Sequence, residues 1–428
     1  MRARNVVVAG LLTLAGCKGC KQTPPPQPKV QPESSAAPSK APPANFALVS
    51  QRSGDDGDFG KGLSLAFDGA GAPLLAWVQR DPQNAADAQS DAIMFAGWDA
   101  QKKVFRAPVR VAPRRITNDT ANRPLGFARD DKSGTLLITF DTEADGHDRI
   151  ALATSKDGGA TWKTGMLPAE AGTPRANQCA VAAAGGQAHV IWVGEPGILY
   201  THAAVDADPA SWPAPKILPQ PKGVEGVHAR ANPSIAVDSK GSPGVAYGTG
   251  SKDEGVQVRF YFVRPGDAEP TKVLDVKNQN DDFDARLVFA GTNPRIAIAA
   301  AMNDMGDPPD AWSVKSDDGG KTWSKALAIP ADGNHSLARS VSFALSPTGK
   351  AAFTAGIRAG NNDDSKCKDP VLSRGDLSSW STCSPAPSAD FFFQADFPVV
   401  AFHGEKLAMA FVNNNPEAMA KGIVYWTE

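Results

Sequence analysis

Tyrosine is scarce, with four residues in a chain of 428, so any chemistry that needs a phenol has few candidates. The six histidines are scattered without the spacing that zinc ligands require. No Gly-x-Ser-x-Gly elbow and no phosphate-binding loop occur. Neither charge is in excess, 44 Lys+Arg standing against 46 Asp+Glu, which argues against a nucleic-acid partner. Long amphipathic helical patterns are missing, and no apolar run is long enough to span a bilayer. What is plentiful is glycine (40) and proline (35), the composition of many short strands joined by tight turns.

The N-terminus is set apart from the fold. Arg2 and Arg4 precede an apolar run from Val6 to Ala15, and the run ends in Leu14-Ala15-Gly16-Cys17. This segment resembles a bacterial lipobox. The resemblance implies a signal peptide over residues 1–16, cleavage before Cys17 and lipidation of its thiol. Lys18 in place of Asp resembles the pattern sorted to the outer membrane, so a lipid-anchored address in the bacterial cell envelope is expected. Residues 17–44 continue as a tether rich in Pro, Ser, Ala and Lys. It has almost no apolar content and should be extended, at about 3.1 Å per residue. Cys20, within it, has no assigned role.

Residues 45–428 form the expected folded domain, and they repeat. LAFDGAGAPLLAWV, GFARDDKSGTLLITF, AVAAAGGQAHVIWV, IAVDSKGSPGVAYG, LVFAGTNPRIAIAA, FALSPTGKAAFTAG and VAFHGEKLAMAF each read as strand, turn, strand. The first strands end near Phe67, Phe127, Ala182, Val237, Phe289, Phe343 and Phe402, at steps of 52 to 60 residues. Such a period predicts an all-β array of four-stranded units that must stack to bury both faces. A closed ring needs no capping repeats. The seventh unit runs out of chain after Gly422–Trp426, and Phe46–Ser50 is an orphan strand able to complete it. Seven blades are therefore expected, with six as the alternative.

Two units carry SKDGGATW (Ser155–Trp162) and SDDGGKTW (Ser316–Trp323), 161 residues apart. Both resemble the Asp-box of sialidases and related β-propellers, and VDADPASW (Val205–Trp212) and SRGDLSSW (Ser373–Trp380) are degenerate copies. The resemblance implies a sialidase-like propeller with Ser155, Asp157, Gly159, Trp162, Ser316, Asp318, Gly320 and Trp323 in a structural role. They shape the turn between third and fourth strands on the face away from any active site. The tryptophans are expected to fill space beneath that turn.

Catalytic machinery of the sialidase kind pairs a Tyr nucleophile with a Glu, an acid/base Asp and three arginines. It is not recognisable here. The nearest match to the family's arginine motif is Asn293-Pro294-Arg295-Ile296, in the wrong hairpin, and all four tyrosines lie inside apolar strands. No catalytic residue, metal or cofactor is assigned. A recurring polar level at the start of the innermost strands supplies the candidate ligand-binding residues: Arg123, Arg230, Arg286, Arg339, Asn122, Asn177 and Asn232. The competing reading is that they tie blades together, with Asp284 and Asp396 neutralising them. Acidic segments on the same face, such as Asp141–Asp145, Asp304–Asp310 and Asn361–Asp364, read as solvated loops. Cys367 and Cys383 are expected to form a disulfide, permissible after export, and Cys179 to be a small buried side chain. The expected function is an envelope-anchored propeller that binds a glycan or an envelope protein without catalysis. The alternative is a diverged exo-sialidase-like glycoside hydrolase or lyase.

Overall fold

The computed structural model describes residues 45–52, 59–84, 86–87, 90–115, 125–169, 176–195, 197–222, 231–250, 257–277, 283–290, 295–302, 311–330, 337–357, 370–381, 384–385, 395–415 and 419–428. All fall in the compact unit Pro38–Glu428. Residues 1–44, which include the expected signal, the expected tether, Cys17 and Cys20, lie outside the described residues, as do Cys367 and Cys383.

Each predicted repeat is an antiparallel sheet, and there are seven of them. From the innermost strand outward, blade 1 is Lys61–Phe67, Pro73–Arg80 and Ser90–Asp99, the last pairing both Val104–Phe105 and Val109–Arg115. Blade 2 is Gly126–Arg129, Leu136–Ala144, His147–Ser155 and Lys163–Met166. Blade 3 is Ala176–Ala184, Gln187–Gly194, Gly197–Ala204 and Lys216–Ile217, and blade 4 is Ser234–Val237, Pro243–Gly250, Gln257–Val263 and Thr271–Lys277. Blade 5 is Phe283–Ala290, Arg295–Met302, Ala311–Ser316 and Leu327–Ala328, and blade 6 is Leu337–Leu345, Ala351–Ile357, Val371–Gly375 and Ser384–Pro385. Blade 7 supplies Ala395–His403, Lys406–Asn413 and Gly422–Thr427.

The innermost strands touch in cyclic order, blade 7 returning to blade 1. Phe46–Gln51 is the fourth strand of blade 7, antiparallel to Gly422–Thr427 with Phe46 opposite Trp426 and Gln51 opposite Gly422. It covers two sheet edges at once. The molecule is a seven-bladed β-propeller. The described residues hold a single short helical turn, Pro209–Ser211, and no helix long and apolar enough to cross a membrane.

Alternation along the strands explains the layers between blades. In Pro73–Arg80, Leu75 and Trp77 face blade 7, while Leu74, Ala76 and Val78 face blade 2. Both faces of a strand are thus buried, which is why the sequence reads as continuous apolar runs. Six such clusters of buried side chains run around the ring, each joining adjacent blades.

One strand departs from the expected register. Pro233 has no N–H to donate, and ahead of it Ala231–Asn232 pairs in parallel with Phe283–Asp284 of blade 5, not within blade 4. Asn177 begins blade 3's own innermost strand, so Asn177 and Asn232 do not occupy equivalent ladders.

Candidate functional site

The ring has two unlike ends. The lower end carries the hairpin turns between first and second strands and the turns between third and fourth, where both complete Asp-boxes sit. The upper end is where the innermost strands begin.

At the lower end each box closes on itself. Ser155 Oγ donates to Asp157 Oδ1 at 2.8 Å and accepts from Gly159 N at 2.9 Å, while Asp157 accepts from Thr161 N at 2.9 Å. Ser316, Asp318, Gly320 and Thr322 repeat the pattern. The bonds from Thr161 come first among the causes that hold the Asp157 carboxyl down at about 2, and Asp318 is lowered likewise by Thr322. Gly159 has φ +90°, and a Cβ there would fall 2.0 Å from Phe95 in blade 1; at Gly320 (φ +95°) it would meet Phe262 in blade 4 at 2.4 Å. Glycine is required for both conformation and close approach. The tryptophans are only half-buried. Instead of filling a core they lean on the preceding blade, Trp162 against Phe95 (centroids 5.3 Å) and Trp323 against Phe262 (5.5 Å). Each indole N–H caps the box glycine's carbonyl, at 3.0 and 3.1 Å. In the degenerate box of blade 6, Leu377 stands at the glycine position and takes φ +66°.

The fold is that of a seven-bladed β-propeller carrying two complete Asp-boxes. No family model matches the sequence, and no curated protein matches it. Among solved structures, a protein of unknown function from Dyadobacter fermentans is similar over 90% of this chain and 97% of its own, at 11% identity and TM-score 0.51. A Trypanosoma rangeli sialidase in complex with the inhibitor DANA shares 14% identity over 77% of this chain (TM-score 0.46), and this chain covers 57% of the sialidase's length. A Penicillium chrysogenum alpha-L-arabinanase complexed with arabinobiose shares 13% over 78% of this chain and 98% of its own, at 0.46. At these identities the likeness is one of fold.

At the heart of the ring is a cavity of about 210 Å³ lined by the innermost strands of all seven blades. Four residues before each hairpin turn, these strands present Ser64, Gly126, Ala180, Ser234, Ser342 and Val399, all small, and then Arg286. The serines tie blades together: Ser64 Oγ donates to Leu125 O (2.8 Å), and the Oγ atoms of Ser234 and Ser342 accept from Leu287 N and Val400 N (both 3.1 Å). Gly126 is small because a Cβ would meet Thr139 Oγ1 at 2.0 Å and the backbone of blade 3 at 2.9 Å.

Arg286 performs the same tie and has donors left over. Its Nε donates to Val341 O of blade 6 at 2.9 Å, and Nη2 lies 3.8 Å from Asp284 without a hydrogen-bond acceptor. Arg114, which the sequence reading missed, also lines the cavity, from the outer strand of blade 1, and is 2% exposed. Its Nη2 and Nε donate to the Asp141 carboxylate (2.7 Å) and carbonyl (2.9 Å), whereas Nη1 stands 3.8 Å from Asp91 with no acceptor. The signal was an arginine in the strand VRVAPRR.

Within the strands themselves, strain lies at this upper end. The innermost strands of blades 1, 3, 6 and 7 each carry a bulge in their first half. Gln178 and Phe397, on two of these bulges, take φ +54° and +51°, a conformation costing non-glycine residues about 1–3 kcal/mol. Asp396, beside Phe397, accepts from Asn414 at 2.7 Å, and desolvation holds its carboxyl above the ordinary value.

Of the other candidates, Arg339 lies on the innermost strand of blade 6, and Asn177 and Asn232 start strands as described. Arg123, Arg230 and Asn122 fall outside the described residues, as do Asp304–Asp310 and Asn361–Asp364. Asp141–Ala144 is not a loop. It ends the second strand of blade 2, with Asp141 and Glu143 facing Arg114 and Arg115. Cys179 is half-buried in the cavity wall, not fully enclosed, and loss of hydration pushes its thiol up to about 12. Arg295 pairs with Asp317 at the lower end, at 2.9 Å. All four tyrosines are buried between blades: Tyr200 bonds His189 (2.9 Å), Tyr247 stacks on Tyr261 (5.7 Å), and Tyr425 packs on Phe105 (5.5 Å). Among the described residues no three His, Cys, Asp or Glu side chains gather as metal ligands.

Proposed function

We propose that this chain is an envelope-anchored binding module, lipidated at Cys17, that receives a glycan or a protein segment at the upper end of its channel without turning it over. The observation that carries this reading is the cavity itself. All seven blades converge on it, Arg114 and Arg286 line it, and none of the four tyrosines is among its lining residues. A tyrosine nucleophile needs to meet its substrate. Here burial lifts the Tyr200 phenol to about 12 and raises Tyr247 as well, the opposite of activation.

The test incubates the full chain with sialylated, uronic-acid, sulfated and neutral glycans, scoring retention and released sugar separately. Retention without product is expected. Product formation that Arg286→Ala abolishes would establish the hydrolase or lyase alternative. The anchor is tested apart: Cys17→Ser should shift the protein from the membrane fraction to the soluble one, and its retention there would refute lipidation.

A further inference from the structure

We infer that the upper mouth takes an amino-sugar glycan, its ammonium pairing with the Asp396 carboxylate; this rests on the binding-module reading and specifies its ligand. Asp396 is the second residue of blade 7's innermost strand, Ala395–His403, and lies three residues ahead of Val399, which lines the cavity. It is exposed, so a ligand reaches it. Its counterpart in blade 5 is treated differently. Asp284 is buried and meets Arg286, two residues further on, at 3.8 Å; two residues beyond Asp396 stands Pro398. Asp396 forms no ion pair with any described residue. Its charge is left for a cation from outside.

The carboxylate is held in place before a ligand arrives. Asn414 Nδ2 donates to Asp396 Oδ2 at 2.7 Å, and Arg52 Nη1 donates to Asn414 Oδ1 at 3.2 Å. Oδ1 of Asp396 accepts from no described residue. Arg52 N donates to Lys421 O at 2.9 Å, and the buried Asn413 donates to the carbonyls of Asn415 and Met419, both at 3.0 Å, which fixes the backbone beside Asn414. Phe397, next in the strand, holds φ +51°, strain that persists only where the surroundings over-determine it. Although Asp396 faces solvent, the protein around it removes enough hydration to raise its carboxyl, as for an acid set in a depression and not on open surface. An ammonium entering there offsets the lost hydration through a charge-assisted bond, whereas a carboxylate or sulfate adds to the burden. The neighbouring polar groups decide the class of amine. Asn414 and Arg52, both half-buried, stand beside the carboxylate, and a pyranose amine is flanked by hydroxyls that bond to such groups. A lysine brings its ammonium alone, on an apolar stem.

The experiment titrates the full chain with a glucosamine tetramer, the matching N-acetylglucosamine tetramer and tetralysine, at a pH where the amines are protonated. The glucosamine tetramer should bind at least tenfold more tightly than its acetylated form, and Asp396→Asn should erase that advantage. Asp206→Asn, which removes an exposed carboxylate at the lower end, should leave it unchanged. Should Asp396→Asn fail to fold, Asn414→Ala takes its place and should narrow the advantage about threefold by releasing the carboxylate. An advantage that survives loss of Asp396, or that Asp206→Asn lowers equally, overturns the inference. Tetralysine binding as tightly as the glucosamine tetramer also overturns it, the site then reading charge without the sugar. Retention of neither tetramer by folded protein overturns it too, while a non-catalytic module for other ligands remains in place. Turnover of either tetramer would sink the binding-module reading and leave the amine preference standing.

Discussion

The two ends of the ring solve opposite problems with similar residues. At the lower end polar groups are spent on one another across blades. Asp130 and Asp131 of blade 2 accept from Gly186 and Gly185 of blade 3 at 2.8 and 2.9 Å, and Glu405 of blade 7 accepts from Thr348 of blade 6. Lys163 of blade 2 reaches Asp208 of blade 3, and Trp380 of blade 6 donates to Ser313 of blade 5. At the upper end the innermost strands bulge, Gln178 and Phe397 hold left-handed backbone within them, and the buried Arg114 Nη1 and Arg286 Nη2 have no hydrogen-bond acceptor. Satisfied turns hold the blades in register, so the other mouth tolerates strain and unspent hydrogen bonds.

Deleting Phe46–Gln51 should erase this contrast altogether, because both ends depend on closure. A loss of at least about 4 kcal/mol is expected in denaturant unfolding, and a midpoint equal to the parent's would show that the ring closes otherwise. Gly159→Ala and Gly320→Ala attack the lower end alone. Each forces a Cβ into an aromatic ring of the neighbouring blade at a left-handed position, and should cost about 2–4 kcal/mol. Arg286 binding measurements should remain unchanged, and a parallel loss of binding would mean the ends are coupled. Trp162→Ala and Trp323→Ala should cost less, about 1–3 kcal/mol, below a fully buried aromatic because both rings are half-exposed; no change in either would make the indole contacts ornamental.

The smallest effect is one of pH. Burial, with His202 second, holds His189 down at about 4, against an unfolded value of about 6.5. Between these values the unfolded chain is protonated at this residue and the native one is not. Stability should therefore fall as pH drops from about 6.5 to 4, and His189→Gln should flatten that slope. A slope identical in the variant would place the pH response elsewhere.

Much of this architecture was legible in the sequence because repetition averages out local ambiguity. Seven strand–turn–strand strings at a near-constant step located the innermost hairpins, and the two Asp-boxes placed the third-to-fourth turns. The clasp was readable as a strand without a partner at one end and a unit lacking a strand at the other. The channel was harder. Arg286 was visible because it recurs in register with other polar residues, but its direction depends on Val341, a residue 55 positions away in another blade. Arg114 lies on an outer strand, outside the recurring polar level that singled out Arg286. Only the proximity of Asp141 and Asp91, from two blades, turns it inward. The displaced pair Ala231–Asn232 was hidden because a missing proline N–H shows where a ladder stops, not where the strand goes next.

The clasp also sets the order in which the molecule can become itself. Phe46 is opposite Trp426, so one of the earliest strands in the chain must remain without its partner until one of the last is present. Loop closure over that separation is entropically costly, and contacts so distant in sequence slow folding. Local hairpins such as Lys61–Phe67 with Pro73–Arg80 can assemble early, yet blade 7 must remain incomplete and its edge open. The final docking of this single strand therefore converts a chain of loosely ordered hairpins into one cooperative body, and it is the step at which refolding should be slowest.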